Sequence, residues 1–360
     1  MATINVFTPD KPFSESENRV LDEAPAFSLH SLESGKFTSS YESYVSDQFA
    51  FRDTWAGAKT DADRALGKKD NNGVFLGKDG RLIEQFTSPP EADMEDRIKA
   101  IQTFDQALPN LRKYVMLVPT AASLLSSELP AYAPVGDELA DLNRVRQLLP
   151  RNVRFVDVYS ALSAEQEQSI FYKTDHHWTT FGAYYAYLEL CKSMGITPQD
   201  QSSFAIREVT DEFYGSLYSK SGFRHLKPDA IHLFLPKRAN KIKVEYVDEG
   251  DTSDSLYDMD NLVKKDKYSV FLNGNHALIR IVTDGPANKK LLVVKDSYAN
   301  SLIPFLVNHF GEIDVVDLRY YEDSLSKLIQ ERQINDMLVL YNIKTFFEDA
   351  SILNITEGIQ

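Results

Sequence analysis

Five pieces alternate near the end of the chain. They are the apolar run Leu291-Leu-Val-Val294, a predicted helix from Ala299 to Phe310, a second run Ile313-Asp-Val-Val316, a predicted helix from Leu325 to Arg332, and a third run Met337-Leu-Val-Leu340. Short continuous apolar runs suit strands buried on both faces, which is the condition of a parallel sheet. A βαβαβ order joins parallel strands by right-handed crossovers, so an α/β fold with helices flanking a parallel sheet is expected. Ligands in such sheets bind beyond the carboxyl ends of the strands. The residues at those ends are therefore the ones to inspect.

The same rhythm starts earlier and is interrupted. Tyr114-Val-Met-Leu-Val118 ends at Pro119, a helix is predicted from Leu139 to Leu149, and a strand from Val153 to Val158. From Phe204 to Thr283 the alternation gives way to strand-like pieces such as Ala230–Leu235, Tyr268–Leu272 and Ala277–Val282, which suggest an antiparallel insertion. Upstream, Val74-Phe-Leu76 and Arg81-Leu-Ile83 flank Gly77-Lys-Asp-Gly80, a hairpin signal. A helix is expected after Pro89-Pro90, with Glu91, Asp93 and Glu95 complementing its dipole. Four segments follow: an N-terminal extension with hairpin over 1–88, the first part of the α/β domain over 89–203, a β-rich insertion over 204–285, and the second part over 286–360.

Composition narrows the function classes. The 39 basic and 53 acidic residues give a net charge of −14, which repels phosphate backbones, so no nucleic-acid partner is expected. Cys191 is the only cysteine, which excludes an intrachain disulfide and a Cys-rich zinc site. No apolar run approaches the ~18 residues of a membrane span. Glu245 to Asp260 holds seven acidic residues; a solvated hairpin or mobile loop suits it, since its spacing does not match an EF-hand.

Three stretches place reactive side chains where this fold would expose them. Asp175-His176-His177-Trp178 precedes a predicted helix that Thr179 or Thr180 would cap. Asp175 is a cap in one reading, the histidines are metal ligands in another, and in a third a histidine is a general base oriented by a carboxylate. The metal reading lacks further His or Cys ligands nearby, and no metal or cofactor is expected. Lys295-Asp296-Ser297-Tyr298 runs from a buried strand into a predicted helix. Ser297 there could attack a carbonyl while backbone amides hold the oxyanion, or Asp296-Ser297 could simply cap the helix. Tyr341-Asn342 and Asp317-Leu-Arg319-Tyr320 end the neighbouring strands, which makes Asn342 a candidate oxyanion donor and Arg319 either a site residue or a surface ion pair. Tyr172, Tyr214, Tyr218 and Tyr320 could stack on sugar rings or sit in the core. Asn275-His276 closes a tight turn that could point toward the site or be an ordinary turn.

Asp175-His-His-Trp178 combined with Asp296-Ser-Tyr298 resembles the DHHW proteins of bacteria and, more distantly, the SGNH-hydrolase-like proteins of alginate O-acetylation. Phe13-Ser-Glu-Ser-Glu-Asn-Arg19 and Asp47-Gln-Phe-Ala-Phe-Arg-Asp53 resemble the same family. The resemblance implies a flavodoxin-like, SGNH-hydrolase-like sheet whose motif order is circularly permuted, the histidine motif coming before the serine. It implies Ser297 as nucleophile, His177 as base and Asp175 as orienting acid. Asn342, Arg319, Tyr298 and Trp178 are expected to bind the oxyanion or the substrate. The implied activity is transfer of acetyl groups to a polysaccharide outside the cytoplasmic membrane, beside a membrane-bound O-acyltransferase that supplies them. Acetyl esterase and non-catalytic glycan-binding subunit are the alternatives. An N-terminal membrane anchor that precedes this chain is also implied. Lys295-Asp296 before Ser297 departs from the small residues of the alginate proteins.

Overall fold

The computed structural model describes residues 8–14, 19–238 and 241–359. Residues 15–18 of the Phe13–Arg19 run lie outside the described residues. Among the described residues no helix is long and apolar enough to cross a membrane.

Eight strands make the central sheet: β1 (Arg112–Val118), β2 (Val153–Phe155), β3 (Ile242–Tyr246), β4 (Asp251–Ser253), β5 (Leu278–Thr283), β6 (Lys290–Lys295), β7 (Glu312–Val316) and β8 (Asp336–Asn342). Their spatial order is β4-β3-β5-β7-β6-β8-β1-β2. The run from β7 to β2 is parallel, whereas β5, β3 and β4 continue the sheet antiparallel. The fold is thus mixed α/β around a mostly parallel sheet.

Side chains alternate across this sheet with the period of two that strands impose. Met116, Leu291, Val293 and Leu340 bury one face against the helix Thr180–Met194. Leu117, Leu292, Val294 and Met337 bury the other against the helices Glu91–Ala107, Glu138–Leu148 and Leu325–Arg332. Each such side chain contributes roughly 1.5–3 kcal/mol when fully buried, so both faces are needed and the apolar runs are continuous.

Several elements differ from expectation. The stretch after Ser297 is not an α-helix but two 3₁₀ turns, Ser297–Ser301 and Ile303–Phe305. Pro304 lacks the amide an α-helix needs there and would clash with the carbonyl four residues back. Tyr268–Leu272 holds a 3₁₀ turn over Lys267–Val270 instead of a strand. The β-rich stretch after 204 splits. Phe204–Phe213 and Asp229–Pro236 pair as a separate two-stranded sheet, while β3, β4 and β5 extend the central one. The acidic run Glu245–Asp260 spans the end of β3, the tight turn after it, β4 and the chain that follows. The hairpin Val74–Leu76/Leu82–Glu84 pairs Phe75 with Ile83.

Candidate active site

Ser297 stands just beyond the carboxyl end of β6, which lies between its parallel neighbours β7 and β8. Asp296 fixes the exit from the strand: its amide donates to the Leu340 carbonyl, and its carboxylate accepts the amides of Tyr298 (2.9 Å) and Asn342 (2.8 Å). Asp296 is therefore the cap that the sequence allowed. Burial pushes its carboxyl above the usual range, and those amide bonds oppose the shift. Ser297 is partly exposed although its neighbours in the turn are buried. Its amide opens the 3₁₀ turn, where the first N–H groups have no partner within the turn.

The Asp175–Trp178 segment has no regular structure of its own, and distant segments hold it. Asp229 accepts the amides of Lys173 and Thr174, both at 2.8 Å, and the Thr174 hydroxyl at 2.6 Å. The buried Arg81 donates to the carbonyls of Phe171 (3.2 Å) and Tyr172 (3.1 Å), and Leu82 donates to that of Lys173. Thr179, whose hydroxyl accepts the Gly182 amide, caps the following helix. Gly215 is glycine for want of room, because a Cβ there would overlap the Asp175 side chain.

These two arms meet. His177 Nε2 lies 2.7 Å from Ser297 Oγ, and His177 Nδ1 lies 2.5 Å from Asp175 Oδ1. Asp175 also accepts the amides of His177 (2.9 Å) and Ser216 (2.7 Å), so its carboxylate cannot rotate away. Burial by itself would raise the Asp175 carboxyl; the two histidines and these hydrogen bonds outweigh it and hold the group well below the carboxylate range. Burial pulls His177 below the ordinary histidine range, the His176 ring pulls the same way, and Asp175 opposes. An ionised carboxylate, a neutral imidazole and a hydroxyl in line are the groups a serine nucleophile requires.

The surrounding side chains orient these three. The Tyr268 ring stacks on His177 at 3.8 Å and 9°, and His176, which stands 2.6 Å from Ser216 Oγ, packs on the other side. Trp178 and Tyr298 are fully buried. The Trp178 indole donates to the Tyr298 carbonyl (3.0 Å) and Ser301 Oγ (2.9 Å), and the Tyr298 hydroxyl donates to the His176 carbonyl. They bind the histidine arm to the serine arm and do not reach the cavity. That cavity holds about 200 Å³ and is lined by Asp175, His176, His177, Ser297, Tyr268 and Asn275 among others.

Two expected members are elsewhere. Asn342 caps the helix Ile343–Glu348 through its Oδ1, which accepts the Lys344 amide, and its Nδ2 donates to the Val118 carbonyl. Both ends of that amide are held there, and Asn342 does not line the cavity. Arg319 forks onto Asp317 at 2.8 and 2.6 Å and does not line the cavity. Tyr214 lines the cavity, but Tyr172 is core, Tyr218 borders a different groove with Arg52 and Lys220, and Tyr320 faces solvent. His276 is tied to Glu249 at 2.6 Å, away from the site. Asn275 does line the cavity, together with Gly274 and Asn300. Tyr268, Ser216 and Asn300 were not singled out from the sequence. The Leu-Asn-Gly-Asn turn was the available signal in the sequence; in the structure its non-glycine residues Leu272 and Asn273 have positive φ, a strained conformation of the kind that gathers at functional sites.

Asp175, His176 and His177 also bring three possible metal-ligand atoms within 4.8 Å of one another. Each His177 nitrogen already has a partner, Asp175 or Ser297, and His176 Nδ1 has Ser216.

Comparison with known proteins agrees with this fold. A DHHW family protein from Eubacterium siraeum DSM 15702 has a similar structure, with a TM-score of 0.68 at 23% identity, over 78% of this chain and 94% of that one. Bacillus cereus PatB1 gives a TM-score of 0.65 at 20% identity, over 78% and 98%, and PatB1 with a sulfonyl adduct gives 0.65 at 19%, over 78% and 97%. No curated protein sequence matches the chain. The sequence model described as DHHW protein matches residues 109–316, more than half of the chain. This chain belongs to the DHHW family.

Proposed function

We propose that the chain is an extracytoplasmic O-acetyltransferase that carries an acetyl group on Ser297 and passes it to a polysaccharide hydroxyl. The observation that carries this reading is the line Asp175 Oδ1, His177 Nδ1, His177 Nε2, Ser297 Oγ, with spacings of 2.5 and 2.7 Å at its two contacts. Ser297 Oγ attacks the acetyl carbonyl carbon while His177 Nε2 takes its proton. The bond to the donor's leaving oxygen then breaks, and His177 returns the proton to that oxygen. In the second half an acceptor hydroxyl gives its proton to His177 and attacks the acyl carbon, and Ser297 leaves with the proton restored. Asp175 stays ionised throughout and stabilises the imidazolium. The likeness of the motifs to alginate O-acetylation proteins supports acetyl as the group and a glycan as the acceptor. In that setting a membrane-bound O-acyltransferase is the donor's source and an N-terminal anchor holds the chain at the membrane. PatB1, which shares the fold, has been solved with a sulfonyl adduct.

Release of acetate from a generic acetyl ester tests the reading. Ser297→Ala and His177→Ala should each abolish it, and wild-type rates in both variants would overturn the assignment. A water-accepting esterase shares the same acyl-enzyme. Product analysis with and without an oligosaccharide acceptor separates the two, since only a transferase gives acetylated sugar.

A further inference from the structure

Lys295 is completely buried and has no part in the proton transfers above. A buried ammonium is costly unless it is paired, yet its shortest contact is with a neutral group. Its Nζ lies 2.5 Å from Asn275 Oδ1 and 3.4 Å from Asp317 Oδ2. Asp317 is already engaged by both arms of Arg319. The charge is thus aimed mainly at an amide oxygen, and that amide borders the cavity of Ser297 and His177.

The hydrogen bonds leave the Asn275 amide one orientation. An ammonium has three donors and no acceptor, so only Oδ1 can face Lys295. Asn300 Nδ2, the second group on that oxygen at 3.1 Å, also donates to the Gly274 carbonyl at 3.2 Å, which fixes its own flip. The Asn275 NH₂ group therefore points away from both, on an exposed residue of the cavity wall.

We propose that Lys295 is a positioning residue for acyl transfer: it locks and polarises the Asn275 amide so that Nδ2 donates to the oxyanion formed when Ser297 attacks. This rests on the acyl-serine reading above. Polarising the carbonyl end of an amide strengthens its N–H donors, and donors preset for the transition state act mainly on kcat. Lys295 also faces Asp296, Arg319 and His177. Its positive charge helps to keep His177 neutral. Burial lowers the ammonium to about 8, with Asp317 and Asp296 opposing and Arg319 adding to the shift, so its charge is lost within an accessible alkaline range.

The experiment measures kcat and KM for acetyl-ester turnover across pH in the wild type, Lys295→Met, Lys295→Arg, Asn275→Ala and the Lys295→Met/Asn275→Ala double variant. Reactive sites are counted by titration with a sulfonyl fluoride, so that misfolded protein does not enter kcat. Asn275→Ala should lower kcat about 10²-fold, Lys295→Met about 10-fold or more, and KM should change less than about twofold in each. The double variant should be no worse than Asn275→Ala, because both act through one amide. The wild type should lose kcat above about pH 8, and Lys295→Arg, which stays charged, should lose that limb. A Lys295→Met kcat within about twofold of wild type, or single effects that multiply in the double variant, would overturn the proposal. Full activity in Ser297→Ala would instead overturn the acyl-serine reading itself. Asn275→Ala alters an exposed turn residue and keeps the test open should Lys295→Met fail to fold.

Discussion

The serine and histidine arms of the site are built by opposite means. Ser297 inherits its position from strand register: β6 pairs with β7 and β8 over its whole length, and Asp296 ties the strand's exit to β8. The Asp175–His177 arm has no ladder. It hangs on Arg81, Asp229 and Ser216, which are far away in the chain, and on the stacked ring of Tyr268. A serine at the carboxyl end of an inner strand is placed by the same hydrogen bonds that hold the core, whereas the histidine is placed by side chains that could be lost one at a time. The serine arm should therefore resist point changes around it, and the histidine arm should not.

The largest test of that contrast lies within the histidine arm. Asp175→Asn keeps the shape of the side chain but removes the charge that stabilises the imidazolium, and kcat should fall by about 10²–10⁴-fold with little change in KM. Steady-state kinetics on the acetyl ester would show it; a loss below tenfold would mean that His177 does not depend on its carboxylate. Next comes the clamp. Asp229→Ala frees two amides and a hydroxyl, and burial already raises this carboxyl against those bonds. It should cost about 1–3 kcal/mol of stability in denaturant melts and lower kcat as the arm loosens. Unchanged turnover would show that Arg81 and Ser216 suffice.

The acid limb is a finer measure. His177 must be neutral to act as base, and its shift is downward. The active form therefore persists below the ordinary histidine value of about 6.5, and kcat/KM should stay level through about pH 6 and decline only further into acid. A midpoint at or above 6.5 would contradict the buried, desolvated ring. The smallest effect belongs to the serine side. Asn342→Ala removes a helix cap and should cost about 0.5–2 kcal/mol while leaving kcat within about twofold. A large kcat loss with little destabilisation would return Asn342 to the site.

Much of this architecture was legible in the sequence because it is local. The apolar runs around Val115, Val293 and Leu338 announce strands covered on both faces, and the 3.6-residue pattern of Leu325, Leu328 and Ile329 announces the helix between two of them. Ser297, His177 and Asp175 stand out by residue type, and the structure brings all three within hydrogen-bond reach in line. The exceptions have local reasons too: Pro304 stopped an α-helix that the apolar pattern of its neighbours suggested.

The two asparagines mark the boundary between chain and fold. Asn342 sits at a strand end beside β6, the place where an oxyanion donor belongs, and from the chain alone nothing shows that its amide is taken by Val118 and Lys344. Asn275 sits in a turn far from any motif, yet it lines the cavity, and Lys295 and Asn300 hold its amide oxygen so that its donors face away from them. Periodicity and residue type decide which segments become strands and which side chains can react, because those depend on neighbours a few residues away. Which amide faces the reacting oxygen depends on partners that only the folded sheet brings together, and hydrogen bonds of that range leave no mark in the local pattern.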